Sequence, residues 1–228
     1  MRHIPGIVAI VAWAALASPA FAQLSSISNT EASGGLKQSL NEGSLAAIAK
    51  LGVQNGFFNN PQVKIPLPPA LKKVESALRF AGMKKQADDL VLSMNRAAEA
   101  AVPEAKQLLA DAVSKMTLQD AKGILTGGQT SVTDYFKRTT SAQLTQRFLP
   151  IVKTATDKVG LAQQYNSLAG QGASLGLIKK DDAKIENYVT NKALDGLYFM
   201  IGEQEKALRA NPLGATSDIV RKVFGALK

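Results

Sequence analysis

Residues Leu90–Met116 read LVLSMNRAAEAAVPEAKQLLADAVSKM, and the period of this stretch decides the fold. Apolar residues recur at Leu90, Met94, Ala98, Ala101, Ala105, Leu108, Ala112 and Met116. Steps of three and four are the helix period. Ala97, Ala98, Ala100 and Ala101 keep the middle thin, so neighbouring helices can approach closely. Pro103 has no N–H for the carbonyl of Glu99, which predicts a kink or a restart there. The stretch reads as the central helix of an all-α domain.

Working outward, the pattern stays helical. Leu36–Leu51 carries Leu36, Leu40, Ala47 and Leu51 at helical spacing. Pro69 is placed to open a helix through Phe80, with Leu71, Val74, Ala77 and Leu78 inward and Gly82 ending it. Thr117 with Asp120 predicts a cap for a helix to Leu125, stopped by Gly127-Gly128. Thr130 or Ser131 then caps a short helix with Tyr135 and Phe136, and Ser141–Val159 forms another, kinked at Pro150 and closed by Gly160. Leu161–Ala169 is a short helix, Gly170–Gly176 a loop, and Asp181 or Asp182 caps a long helix to about Ala210. Thr216 or Ser217 opens a closing helix through Phe224. The main irregular segment is Gly52–Pro69, GVQNGFFNNPQVKIPLPP, whose Val63, Ile65 and Leu67 alternate with polar residues or proline. The adjacent prolines exclude a central strand, so the segment is expected to run extended over a helix surface. The sum is one domain of about eight to ten helices over residues 36–228, behind a flexible leader at 23–35 rich in Ser, Asn, Thr and Gly.

Residues 1–22 read as a cleavable secretory signal: Arg2 and His3, an apolar run over Ile4–Leu16, and Ala20-Phe21-Ala22 before Gln23. The run is shorter than the ~20 residues a spanning helix needs, and Ser18-Pro19 breaks it. The expected address is the bacterial periplasm, with no transmembrane segment after cleavage. His3 and Trp13, the only His and Trp, would leave with the signal, and Cys is absent throughout. Disulfides, the usual zinc, copper and haem ligands, and Ser-His-Asp or Cys-His mechanisms are thereby excluded from the mature chain. No Ser is followed three residues later by Lys, which removes the Ser-Lys alternative. No cofactor and no metal are expected.

Five features bear on chemistry. Gly123–Thr130 has the outline of a phosphate loop, but Gln129 stands where the Lys is required and no strand precedes it; a helix-ending Gly-Gly accounts for the same residues. Gly170, Gly172 and Gly176 lack strand context too. Asn95, Arg96 and Glu99 form a polar insert among alanines, read as a solvated face or as a buried polar network or ligand site. In the long helix near the C-terminus, Tyr188, Asp195 and Phe199 share the side opposite Val189, Ala193, Leu197 and Met200. That arrangement places Asp195 in a half-buried setting and predicts a pair with Arg96; such a buried pair serves specificity of the fold more readily than ligand binding. The net charge of +9 is spread over doublets such as Lys72-Lys73, Lys84-Lys85, Lys137-Arg138 and Lys179-Lys180. Diffuse charge without stacking aromatics argues against nucleic acid.

Several blocks carry a family resemblance: Phe57–Pro68 (FFNNPQVKIPLP), Met94–Ala101 with Pro103, Asp120–Leu125, Tyr135-Phe136, Phe148-Leu149-Pro150, and Tyr188–Leu197. Together they resemble the exported bacterial family catalogued as domain of unknown function 4197. The resemblance covers about Gly35 to Phe224 and implies one family domain behind a signal peptide, with no activity to transfer. The expected function is a non-catalytic binding or interaction protein of the envelope, holding an apolar or anionic molecule, with an envelope lipid or another envelope protein as partner. The alternatives are a structural or stress-linked protein without a small ligand, and a carboxylate hydrolase or lyase using Glu99 and Asp195.

Overall fold

The computed structural model describes residues 28–73, 75–174, 183–211 and 217–225; the expected signal sequence lies outside them. Among the described residues the chain is all-helical, without a strand.

Helix α1 spans Asn29–Leu51 and so begins inside the stretch expected to be a flexible leader. Local chemistry explains the difference. Ser28 Oγ accepts the Glu31 N–H at 3.1 Å and Glu31 Oε2 accepts the Ser28 N–H at 3.0 Å, a reciprocal capping box. Glu31 Oε1 also accepts from Lys222 Nζ at 3.0 Å, on the closing helix. Gly35 lets that helix come close, since a Cβ there would lie 2.7 Å from Val223 Cγ2.

Two short helices follow, α2 (Pro69–Lys73) and α3 (Glu75–Phe80), and the turn after them passes through Gly82 at φ +76°. The central stretch divides at Pro103 into α4 (Lys84–Ala101), a 3₁₀ turn (Val102–Glu104) and α5 (Ala105–Lys115). The turn resets the phase, so Leu109 is fully buried and Leu108 only half-buried. Helix α6 (Leu118–Thr126) carries the expected Thr117–Asp120 capping box.

Helix α7 runs unbroken over Ser131–Thr156, where two helices were expected. Its inner ridge falls every fourth residue: Val132, Phe136, Thr140, Leu144, Phe148, Val152 and Thr156, all buried. Thr140 is part of that ridge because its hydroxyl is satisfied internally, by Phe136 O at 2.7 Å and the Tyr198 hydroxyl at 2.8 Å. The helix also continues through Pro150, which lies on its exposed side. Gly160 opens α8 (Gly160–Ser174) instead of closing the previous helix, and residues 170–174 extend α8 where a loop was expected. The long helix α9 (Ile185–Ala210) and the closing α10 (Asp218–Gly225) complete the order. The caps expected at Asp181, Asp182 and Thr216 lie outside the described residues.

Helices α4 and α9 both pack along α7, and α9 also packs on α1, whose remaining surface meets α5, α6 and α10. Met94, Met116 and Met200 are buried in the continuous core. Residues 53–63 form successive turns, after which the chain runs extended to Pro68 with Val63, Ile65 and Leu67 buried. That segment is what the polar insert of α4 serves.

Candidate functional site

On α4, Asn95 and Glu99 lie one turn apart on a buried face, and Arg96 stands at its edge. Each is assigned to the irregular segment. Asn95 Oδ1 accepts the Ile65 N–H at 2.8 Å, and Asn95 Nδ2 donates to Ile65 O at 2.9 Å and Val91 O at 2.7 Å. The amide thereby replaces the partner strand that Ile65 lacks. Glu99 Oε1 accepts two consecutive N–H groups, Phe57 at 3.1 Å and Phe58 at 3.0 Å. Arg96 donates to Glu99 Oε2 at 2.6 Å and to Asn55 Oδ1 at 2.8 Å. Asn55 holds φ +71°, a conformation Asn tolerates better than most residues. Two cations lie over the Phe58 ring, Lys64 Nζ 4.1 Å from its centroid and the Arg96 guanidinium 5.9 Å away. Asn95 and Glu99 therefore clip the loop to the central helix by its backbone, and Arg96 adds the Asn55 side chain.

From the other side, Tyr188 on α9 donates its hydroxyl to Pro66 O at 3.2 Å. Gly196 allows the loop to seat against α9: a Cβ there would lie 2.8 Å from Phe57 Cε1 and 3.2 Å from Val63 Cβ.

Asp195 is not part of the clip. The expected Arg96–Asp195 pair does not form. Arg96 is committed to Glu99 and Asn55, whereas Asp195 is more than half exposed and pairs with Lys137 Nζ at 3.3 Å. The cause is the seated loop: Phe57 and Val63 occupy the surface of Gly196, so the neighbouring Asp195 is turned outward. Of the five residues singled out from sequence, Asn95, Arg96, Glu99 and Tyr188 converge on one segment and Asp195 faces another feature.

That feature is an open groove of about 1060 Å³ along α9. Its floor is the stripe Tyr188, Asn191, Lys192, Asp195, Phe199, Gly202 and Lys206, roughly 27 Å long at 1.5 Å per residue. Segment 62–72 forms one wall and the start of α7, with Thr133 and Lys137, forms the other. Gly202 sets the second wall close, since a Cβ there would meet Thr133 Oγ1 at 2.8 Å. Five lysines, Lys64, Lys72, Lys137, Lys192 and Lys206, face two carboxylates, Asp195 and Glu203. Lys137 and Lys206 have acid partners, at 3.3 and 3.6 Å. Among the described residues Lys64, Lys72 and Lys192 have none. Phe199, 39% exposed, supplies an apolar surface between the charges.

Tyr188, Asp195 and Phe199 of the floor were grouped from the sequence, but the groove itself escaped it because three separate segments contribute to it; the doublets Lys72-Lys73 and Lys137-Arg138 look scattered until the clip brings 62–72 beside α9. Asn55 was also missed, although the Asn-Gly dipeptide at 55–56 is a known signal for a positive φ. The phosphate-loop outline at Gly123–Thr130 does not form a cradle, because Gly123 lies inside α6. Among the described residues no three acids converge as a metal site requires, and no helix is long and apolar enough to cross a membrane.

A family model described as "Protein of unknown function (DUF4197)" matches residues 26–225. No curated protein and no solved structure gives a match.

Proposed function

The chain belongs to the DUF4197 family of proteins of unknown function, and on that premise we propose that it is an exported, non-catalytic binding protein of the bacterial envelope whose α9 groove receives an anionic ligand. The observation that carries the reading is the excess of lysines in the groove, three of them without a carboxylate partner among the described residues. Like charges gathered in one concavity repel each other, and an anion that neutralises them relieves that cost. Phe199 and the Pro66–Leu67 wall offer apolar contact beside the charge, which suits an amphiphile better than a bare ion. Export rests on residues 1–22 of the sequence alone.

The carboxylate-enzyme alternative has little to support it. Glu99 has both oxygens engaged, by two backbone N–H groups and Arg96, and Asp195 faces the groove on the far side of the loop. The alternative of a structural protein without a small ligand draws on the filled core, with Met94, Met116 and Met200 all buried.

The test is native mass spectrometry of the protein purified from its own periplasm, beside a Lys137→Glu/Lys192→Glu variant. A stoichiometric anionic molecule retained by the wild type and lost from the variant, with helicity unchanged, is the expected result. A clean apo mass for both, and no mass gained on incubation with an envelope lipid extract, would sink the reading in favour of the ligand-free alternative.

A further inference from the structure

We propose that the turn Phe80–Gly82, between α3 and α4, is a second contact surface and that its partner is an anionic lipid surface. Phe80 is 97% exposed, well beyond the next large apolar side chains among the described residues, Leu118 at 59% and Val53 at 53%. A lone exposed aromatic needs no explanation in itself. Its surroundings do. Three ion pairs flank the turn: Glu75–Arg79, Lys84–Asp88 and Lys85–Asp89, each at 2.6 Å. In every one the cation stands on the side of the turn and the acid one helical turn further away. Glu75 precedes Arg79 in α3, which runs toward the turn, and Lys84 and Lys85 precede Asp88 and Asp89 in α4, which runs away from it. Lys84 and Lys85 thus occupy the first turn of α4, where helix electrostatics favours acids. Lys72 and Lys73, both exposed on α2, add two cations without acid partners among the described residues.

The arm is also lightly held. Among the described residues helix α2 packs chiefly on α3, and α3 chiefly on α4. A protruding aromatic at the tip of a cation-led turn fits an interface that is apolar a few ångströms in and negative at its surface: the ring enters the acyl boundary and the lysines meet headgroup phosphates. A protein partner would have to supply a concave apolar pocket with an acidic rim.

The experiment is co-sedimentation of the protein beginning at Gln23, which retains every described residue, with phosphatidylglycerol-containing vesicles and with pure phosphatidylcholine vesicles. Binding to the anionic vesicles alone, weakened by salt, is expected. Phe80→Ser should lower apparent affinity roughly tenfold, the effect of losing a buried Phe ring, without altering helicity or melting temperature. Lys84→Gln/Lys85→Gln should lower it several-fold and flatten the salt dependence. Equal binding to both vesicle types, or unchanged binding by Phe80→Ser, would overturn the proposal. So would a dimer in sedimentation velocity that forms without lipid and disappears in Phe80→Ser, since the turn would then be covered by a second copy of the chain.

Discussion

Asn95 pairs with Ile65 as a strand would, accepting its N–H at 2.8 Å and donating to its carbonyl at 2.9 Å from a residue that is itself fully buried. Asn95→Ala leaves both Ile65 groups without a partner in a dry site, at about 1–3 kcal/mol for each unpaired group. The expected loss is therefore about 2–5 kcal/mol in urea unfolding, with hydrogen-exchange protection of the Ile65 amide lost first. Asn95→Asp should be worse than its size suggests, because a carboxylate oxygen then faces the Ile65 carbonyl. An Asn95→Ala variant within experimental error of wild type would mean that the clip does not hold the segment.

Glu99 and Arg96 act as one unit. Glu99→Gln keeps an oxygen for the Phe57 and Phe58 N–H groups but turns an NH₂ toward the Arg96 guanidinium, donor against donor. The expected cost is about 2–3 kcal/mol, since one charge is left half-buried and unpaired. In a double-mutant cycle with Arg96→Gln the two losses should fall short of additivity by about 1 kcal/mol or more. Additive losses would show that the two side chains support the loop independently.

How much of this was legible in the sequence follows from the range of each interaction. The helices were legible because their information is local: the 3.6-residue period, the Thr117–Asp120 box, and Pro103 at the restart. Local rules failed where a distant partner decides. A second helix was expected to start at Ser141, but α7 runs through, with the Thr140 hydroxyl satisfied by Tyr198. Gly35 looked like leader sequence until α10 packed against it. The polar insert Asn95-Arg96-Glu99 stood out among alanines, but the loop partners of Asn95 and Glu99 are backbone groups, which carry no residue-type signature. Asp195 was assigned the wrong cation for the same reason: which face of α9 meets the loop is fixed by Gly196 and Phe57, some 140 positions apart in the chain. The groove is one step further removed, since it exists only after the clip has closed.

The glycines separate close packing from mere permissiveness. Gly196→Ala places a methyl 2.8 Å from the Phe57 ring and 3.2 Å from Val63, and overpacking of this kind costs about 1–3 kcal/mol. Gly123 lies in the exposed interior of α6 with nothing within 4 Å of a Cβ. Gly123→Ala should therefore stabilise by about 0.5–1 kcal/mol through helix propensity alone. Thermal melts of the two variants should move in opposite directions. A destabilised Gly123→Ala would reveal a role for that glycine outside the helix.

The start of α1 has a pH signature. The Glu31 carboxyl is lowered from 4.5 to about 2, first by the Ser28 backbone N–H, then by Lys222 and the Ser28 hydroxyl. Because the folded value lies below the unfolded one, Glu31 contributes stability above about 4.5 and loses it as pH falls toward about 2. Glu31→Gln cannot ionise and loses the pair with Lys222, although its amide oxygen can still accept from Ser28. It should be less stable than wild type at neutral pH, and the difference should close through that acid window. Glu31 is exposed, so added salt should narrow the neutral-pH gap as well. Amide exchange should show the loss concentrated near Ala32, whose N–H bonds Ser28 O at 2.9 Å. A difference that stays constant from neutral pH to about pH 2 would mean that the ionised carboxylate does not hold the first turn, and that α1 gains its start from packing against α10 alone.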